Sequence, residues 1–308
     1  MQTDHRALMT ACLAIAAAVS PRPALAQGNG AVDSSWKAVE QAFGRPGAMQ
    51  PGGVRKFSMP RSDLTVRVGG VTLKPALALG SWLAFVRNDS GGRATAMGDL
   101  VLLESEVAPV MRKLQAAGIE QTALHNHLLG ESPRIMYMHV MAQGDPVTIA
   151  RAVREALALT GTPAPAAARA APAGAFALDT AALARELGYG GKVNGGVYQV
   201  SVPRRDPVRA EGVELPPAMG TATAINFQPT TGGRVAVTGD FVLAADEVNP
   251  VIKVLGEHGI AVTAVHSHML TDEPRLFFMH FWAVADATRL AQGLHAALGQ
   301  MKVKAPAS

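Results

Sequence analysis

The sequence predicts an α+β fold: two tandem homologous domains with largely antiparallel sheets, each with a histidine-bearing β-hairpin flanked by helices. Three observations support this prediction. Residues 98–157 align with residues 239–298 without a gap, which indicates an internal duplication. Within each copy, several strand-like runs precede a helix, a hairpin and a second helix. Neither copy sustains the βαβ alternation that a parallel Rossmann-type sheet requires.

The duplication sets the predicted domain boundaries. A repeat period of roughly 140 residues is too long for a solenoid and indicates a whole domain copied within one chain. We predict a first repeat domain at residues 34–159 and a second at residues 176–302. Residues 160–175 read TGTPAPAAARAAPAGA, a composition typical of a semi-extended Pro/Ala linker.

Each secondary-structure element follows from a local pattern. Short helices are predicted at residues 34–43 and 180–187, and first-copy strands near residues 54–59, 64–73, 81–88 and 93–103. Residues 105–117 form the clearest helix, because apolar residues recur there at helical spacing and Gly118 stands at the C-cap. The β-rich runs on either side of residues 128–133 predict a hairpin. Asp145, followed by proline, opens a last helix as its N-cap, and Asp286 opens the counterpart.

The N-terminal segment, residues 1–26, predicts a signal peptide. His5 and Arg6 form a weakly basic start, an apolar run follows, and residues 24–26 read Ala-Leu-Ala, a small-residue cleavage site. The apolar run is too short to span a bilayer. Cleavage before Cys12 would leave most of this run on the mature chain, so lipid anchoring there is disfavoured. We expect a periplasmic or secreted protein with no transmembrane span.

Composition limits the partners and the ligands. The formal net charge is +4, which is too small to indicate a nucleic-acid partner or an anionic membrane surface. Cys12 is the only cysteine, and it would be removed with the signal peptide. The mature protein would then have neither a disulfide nor a thiolate, so any metal ion must be held by histidine and carboxylate side chains.

The most informative motif is a duplicated histidine triad, H-x-H-x11-H. Six of the nine histidines belong to it: His125, His127 and His139 in the first copy, and His266, His268 and His280 in the second. Residues two apart on a strand share a face, so the first two histidines of each triad point the same way. A register that sets His125 opposite His139 would bring all three rings together, whereas a shift of one residue would turn His139 away.

The triads predict a metal site, because imidazole is the commonest protein ligand of transition metals. A divalent transition metal is expected, with zinc favoured and copper or iron as alternatives. Glu131 and Asp272 each follow the second histidine of a triad by four positions, and either is a candidate fourth ligand or catalytic general base. Asp99 and Asp240, each after a glycine, either orient a ligand histidine or form a turn.

Three functional hypotheses remain open at this level. The first is an exported metal-binding protein in which each triad holds one ion. The second is a metal-dependent enzyme, a hydrolase or a cupin-like oxygenase or isomerase, with a small-molecule ligand at an open metal position. The first-copy motif H-x-H-x3-E is similar to the opening metal motif of cupins, although the second copy carries aspartate there. The third is an interaction module without metal, whose histidines only shape the hairpin.

The paired segments ALHNH…PRIMYMH (residues 123–139) and AVHSH…PRLFFMH (residues 264–280) resemble those of the LppY/LpqO-type lipoprotein family. The resemblance covers roughly residues 34–300. That family has no assigned function, so the resemblance implies a tandem-domain architecture and an exported location, and it implies no reaction.

Overall fold

The computed structural model describes residues 29–88, 92–164 and 176–306. It confirms an α+β fold with two tandem sets of largely antiparallel sheets, which we call the first half (residues 29–164) and the second half (residues 176–306). The predicted signal peptide and most of the predicted linker lie outside the described residues. The proposed domain boundaries stay predictions. Within the described ranges, no helix combines the length and the hydropathy needed to span a bilayer.

The first half contains four helices and nine strands within the described ranges. In chain order they are α1 (Asn29–Phe43), β1 (Ala48–Gln50), β2 (Val54–Pro60), β3 (Arg67–Val68), β4 (Val71–Thr72), α2 (Pro75–Ala78), β5 (Gly80–Arg87), β6 (Ala94–Leu103), α3 (Glu104–Ala116), β7 (Glu120–His125), β8 (Glu131–Ser132), β9 (Ile135–Gly144) and α4 (Pro146–Leu157).

The second half repeats this order, with a 3-10 turn in place of α2. Its elements are α5 (Thr180–Leu187), β10 (Gly191–Asn194), β11 (Val197–Pro203), β12 (Arg209–Ala210), β13 (Val213–Glu214), β14 (Ala222–Pro229), β15 (Val235–Ala244), α6 (Ala245–Glu257), β16 (Ala261–His266), β17 (Asp272–Glu273), β18 (Leu276–Ala285) and α7 (Ala287–Leu298). The 3-10 turn spans Pro217–Met219, between β13 and β14.

Each half has a six-stranded sheet and a small three-stranded sheet. The large sheets have the strand orders β1-β2-β5-β6-β9-β7 and β10-β11-β14-β15-β18-β16, and neighbouring strands in them pair antiparallel. The predicted hairpin around residues 128–133 is formed by β7 and β9. Its long loop contains β8, which pairs with β3 of the small sheet. The hairpin is therefore anchored at both its edge and its loop.

An aspartate caps the last helix of each half. The Asp145 and Asp286 carboxylates accept hydrogen bonds from the third residue beyond them, which confirms both as N-caps. The predicted strand at residues 64–73 is wrong in detail: the chain forms the tight hairpin of β3 and β4 instead. Gly69 and Gly70 have φ angles of +52° and +87°, a backbone conformation that reverses the strand and that side chains with a Cβ disfavour.

Strand alternation gives the large sheets two different faces. On β9, Met138 and Val140 are buried in a core that the first half's sheet shares with its helices. Tyr137, His139 and Met141 occupy the alternate positions, and Tyr137 and Met141 belong to cores that contain residues of the second half. One face of the sheet therefore packs on helices of its own half, and the other face packs on the opposite half.

The two halves share an extensive apolar interface. In one shared core, Met97 and Met141 pack with Met219 and Phe278; in the other, Tyr137 packs with Val197. Burying a side chain of this size contributes about 1.5–3 kcal/mol each. The halves are therefore joined by hydrophobic packing rather than tethered by a linker alone.

Candidate metal centre

The hairpin register brings the three histidines of each half to one face. His125 lies opposite Tyr137, and Ala123 lies opposite His139. The histidines are therefore offset by two positions from the directly opposed register. Because the side-chain period of a strand is two residues, an offset of two keeps His125 and His139 on the same face. The second half has the equivalent register.

The two triads meet in one cluster. The sheets turn their histidine-bearing faces toward each other, so the closest pairs of histidine rings join the halves instead of lying within them. The centroid distances are 3.6 Å for His125–His266, 3.8 Å for His127–His280 and 3.8 Å for His139–His268. All six predicted ligand histidines thus lie in a single cluster that contains both triads.

Reciprocal hydrogen bonds hold the two H-x-H segments against each other. The Thr122 hydroxyl donates to the carbonyl oxygen of His268 over 2.6 Å, and the Thr263 hydroxyl donates to that of His127 over 2.5 Å. These threonines were not among the predicted site residues, although they stand at equivalent positions in the two copies. Each half therefore positions the backbone of the other half's histidine motif.

The hydrogen bonds of the histidines define which ring nitrogen can bind a ligand. Four Nδ1 atoms lie within hydrogen-bond distance of a backbone carbonyl: His125 at Asn126 (3.0 Å), His266 at Ser267 (3.1 Å), His268 at Gly220 (3.1 Å) and His280 at Gly239 (2.7 Å). A carbonyl only accepts, so Nδ1 carries the proton and Nε2 presents a lone pair.

The six Nε2 atoms share a second property. All are buried, and none has a hydrogen-bond partner among the residues that the structure describes. A buried polar atom without a partner is costly, and it is rare in folded proteins. The cluster therefore directs six Nε2 atoms into one enclosed region, and those of His125, His266, His268 and His280 carry a lone pair.

Two aspartates complete the cluster. Asp99 lies inside β6 opposite His139, and Asp240 lies inside β15 opposite His280. Neither aspartate is in a turn, so the turn interpretation of these Gly-Asp pairs is wrong, and both carboxylates lie at the histidine cluster. The equivalent position of Asp99 and Asp240 in the two copies was the sequence signal for this placement.

The aspartates approach histidine nitrogens. Asp240 Oδ2 lies 3.0 Å from Nε2 of His268, and Asp99 Oδ2 lies 3.4 Å from Nε2 of His127. His268 Nδ1 donates to Gly220, so in the neutral ring both Nε2 and the carboxylate are acceptors. Two acceptors this close require a proton or a metal ion between them.

Three groups of side chains have ligand atoms that all lie within 4.8 Å of one another. They are His125, His127 and His280; His125, His139 and His266; and Asp240, His266 and His268. Every predicted histidine belongs to at least one group. Two of the groups combine both halves, the third lies wholly in the second half, and none of the three is a complete predicted histidine triad.

Burial favours the neutral form of His125 and His266. It lowers the pKa of His125 and of His266 to about 4. Burial raises the pKa of Asp99 to about 6. It acts in the same direction on Asp240, but the neighbouring His280 and His268 outweigh it and hold the pKa of Asp240 below its usual range. Neutral imidazoles can bind a metal ion without first releasing a proton.

The two candidate general bases lie apart from the three groups. Glu131 Oε1 accepts a hydrogen bond from the Ile135 backbone N–H over 3.2 Å, and burial raises the pKa of Glu131 to about 7. Asp272 accepts hydrogen bonds from the Leu276 N–H (2.6 Å) and from Arg275 (2.8 Å). Both carboxylates therefore close the loop of their own hairpin, and the structure does not bring either into a ligand group.

Aromatic rings cover His127 and His268, which we call the outer histidines. The ring of Tyr137 stacks on His127 with a centroid distance of 3.3 Å, and the ring of Phe278 stacks on His268 at 3.4 Å. Two surface cavities, of about 560 and 140 Å³, lie elsewhere, and no residue of the cluster lines either of them. The cluster is thus enclosed by side chains rather than exposed in a cleft.

Comparisons with known proteins place the duplication in a wider group. A family model described as "Domain of Unknown Function (DUF1259)" matches residues 37–159 and again residues 181–300. No curated protein matches the chain.

Solved structures similar to the chain include a trimeric bacterial microcompartment shell protein, PduB. Its sequence identity is 12%, its TM-score is 0.21, and the match covers 83% of this chain and 89% of that one. EtuB from Clostridium kluyveri is also similar, with 11% identity, a TM-score of 0.19, and coverage of 82% and 88%. These TM-scores are low, so both likenesses are weak.

Proposed function

The chain belongs to the family described as "Domain of Unknown Function (DUF1259)", with two copies of its domain, and we propose that it binds divalent transition metal in an enclosed centre shared by the copies. The family description names no activity, so the proposal rests on the site. One observation carries it: six buried Nε2 atoms converge on one region without a hydrogen-bond partner in the described part of the chain.

The free-energy cost of the unpartnered Nε2 atoms favours a bound cation. A buried polar atom without a partner costs about 1–3 kcal/mol. Six such atoms together would rival the whole folding free energy of a typical domain, about 5–15 kcal/mol. A metal ion that accepts their lone pairs removes this cost. Metal binding therefore explains why the fold tolerates the cluster.

The donor set favours zinc, with copper or iron as alternatives. Its members are imidazole nitrogens and carboxylate oxygens without sulfur, and zinc accepts both. Two donors that each bind zinc at about 2.0–2.1 Å lie about 3.0–3.4 Å apart in a tetrahedral or octahedral shell. The distance from Asp240 Oδ2 to His268 Nε2, 3.0 Å, agrees with this spacing. Because His139, His268 and His280 are each at most 4% exposed, we propose a metal-holding role in preference to substrate turnover.

Elemental analysis of untagged protein tests the proposal. We expect a stoichiometric transition metal in the wild type and its loss in the double variant His125→Ala, His266→Ala. His258→Gln is the matched control: His258 lies outside the cluster, and its Nδ1 lies at a backbone carbonyl as in the cluster histidines. Wild-type protein supplied with zinc, copper and iron that retains no metal would contradict the proposal.

The proposed location is the periplasm or the extracellular space. It is supported by the predicted signal peptide and by the resemblance to the LppY/LpqO-type family. Mass spectrometry of the protein exported by a bacterial host tests it, with a mature chain that begins at Gln27 as the expected result. A lipid-modified chain that begins at Cys12 would replace the signal-peptide prediction with an anchored protein.

A further inference from the structure

We infer that the proposed metal centre holds two ions in two unequal sites. The first, which we call the N3 site, has three nitrogen ligands, from His125, His127 and His280. The second, the N2O site, has two nitrogens and one oxygen, from His266, His268 and Asp240. This inference rests on the proposed function and specifies how many ions the centre holds and how its side chains divide between them.

A neutral histidine of the cluster binds only one ion. A histidine whose Nδ1 donates to a carbonyl has one remaining lone pair, at Nε2, and binds one ion there. The central group of three contains His125, which belongs to the N3 site, and His266, which belongs to the N2O site. The two outer groups have no residue in common. An ion in the central group therefore excludes an ion from either outer group, so the centre holds two ions only when both outer groups are occupied.

The one-ion and two-ion arrangements leave different Nε2 atoms without a partner. One ion in the central group would leave buried, unpartnered Nε2 atoms on His127, His268 and His280. Two ions in the outer groups leave only that of His139. The ring of His139 lies 3.8 Å from that of His268, so it is close enough to supplement the N2O site. The two-ion arrangement therefore gives more of the buried Nε2 atoms a bond to metal.

Two buried carboxylates offset the charge of two bound ions. Two divalent ions in neighbouring sites repel each other unless anions lie beside them. Asp240 is itself a ligand of the N2O site, and Asp99 Oδ2 lies 3.4 Å from His127 Nε2 of the N3 site. Each site therefore has one buried carboxylate next to it. Known two-metal sites place their ions about 3.5–4 Å apart under comparable compensation.

The sites differ in chemistry. Two imidazoles and a carboxylate are the ligand set of the facial triad that binds iron(II), and they also suit manganese and zinc. Three imidazoles suit zinc and copper. Asp99 belongs to none of the three groups, although it occupies the position equivalent to Asp240. The duplication therefore supplies two related sites with different donor sets.

Zinc titration of the metal-free protein, followed by elemental analysis after desalting, tests the inference. We expect two equivalents in the wild type and one in Asp240→Asn. His258→Gln, which changes a histidine outside the cluster, is the matched control and retains two equivalents at saturating zinc. His139→Gln also retains two, because His139 is a member of the central group alone. Circular dichroism shows that each variant is folded, and His268→Gln replaces Asp240→Asn if the latter does not fold.

The outcomes separate this inference from the proposed function. One equivalent in the wild type, lost in His139→Gln and kept in Asp240→Asn, would assign a single ion to the central group and overturn the two-site inference while metal binding stands. No stoichiometric metal in any form would remove both. Cobalt(II) provides a second measurement: two sets of visible absorption bands are expected, of which Asp240→Asn removes one.

Discussion

The two aspartates at equivalent positions in the two halves have different surroundings. Asp240 has nitrogens of three histidines within 4.0 Å: His268 at 3.0 Å, and His266 and His280 at 4.0 Å each. The corresponding contact of Asp99 is with His127, at 3.4 Å. Burial raises the pKa of Asp99 to about 6, whereas the neighbouring rings reverse the effect of burial at Asp240. The duplication has kept the imidazoles and changed the way each carboxylate meets them.

The halves also differ at the position occupied by Lys56 in the first and Gln199 in the second. The first half has Lys56, whose Nζ donates to the Ala218 carbonyl over 3.2 Å, and burial lowers the pKa of Lys56 to about 8. At the equivalent position the second half has Gln199, whose amide donates to the Ala76 carbonyl over 2.9 Å. Both side chains make the same kind of contact across the interface. The role is thus retained, and the charge is confined to the first half.

The largest expected effect is that of metal removal, which acts on both halves together. A ligand present at a thousand times its dissociation constant stabilises the folded state by about 4 kcal/mol. Chelation should therefore lower the melting temperature of the wild type strongly. Because two apolar cores span the halves, the metal-free protein should still melt in a single transition. Calorimetry with and without chelator measures both.

The double variant His125→Ala, His266→Ala serves as the control for this measurement. It should melt at the same temperature with or without chelator. Two separate transitions in the metal-free wild type would show that the halves depend on the ion, and not on their apolar interface, to unfold as one unit.

The next effect is on pH dependence, and here the halves should behave alike. The pKa of His125 and of His266 is about 4 in the folded protein, against about 6.5 in an unfolded chain. Between these values the unfolded chain binds more protons, so the metal-free protein should lose stability as pH falls from about 6.5 to about 4. The loss is up to about 3 kcal/mol for each histidine.

Urea unfolding of the chelator-treated protein at several pH values measures this loss. His125→Gln and His266→Gln should each flatten the pH dependence by a similar amount. A flat profile in the metal-free wild type would mean that these two rings are not buried in the neutral form.

A smaller effect is expected from exchanging the aromatic residues that cover the outer histidines. Tyr137 has a buried hydroxyl without a partner among the described residues, whereas Phe278 has no polar atom at the equivalent position. Tyr137→Phe should therefore leave stability unchanged or raise it by up to about 1 kcal/mol. Phe278→Tyr should lower it by about 1–3 kcal/mol. Denaturant midpoints compare the pair, and a marked loss in Tyr137→Phe would reveal a partner for the hydroxyl.

The smallest effect concerns the arginine that follows the proline of each hairpin loop. Arg275 binds Asp272, whose side chain is 1% exposed, at 2.8 Å. Arg134 and Glu104 are 3.6 Å apart and both mostly exposed. Arg134→Ala should change the unfolding free energy by less than about 0.5 kcal/mol. Arg275→Ala should cost about 1–3 kcal/mol, because it leaves a buried carboxylate without its charged partner. Equal losses in the two variants would contradict this difference between the loops.

Local patterns predicted much of the fold. The helix α3 was expected within one residue of its observed ends, and helix α5 at its observed bounds, because apolar spacing and capping residues act over a few neighbouring positions. The hairpin of β7 and β9 was also recognised. The strand at residues 64–73 was missed because the turn at Gly69 and Gly70 interrupts an otherwise strand-like run.

The sequence by itself determined which side chains can serve as ligands and that they occur twice. Alternation on β9 and β18 directs His139 and His280 away from their own helices, and this follows from a period of two residues. Only the tertiary structure decided which rings meet. That His280 joins His125, and that Asp240 rather than Glu131 reaches a ligand group, depends on how two sheets far apart in sequence pack face to face. Such packing is set by the shapes of whole faces, which no local pattern encodes.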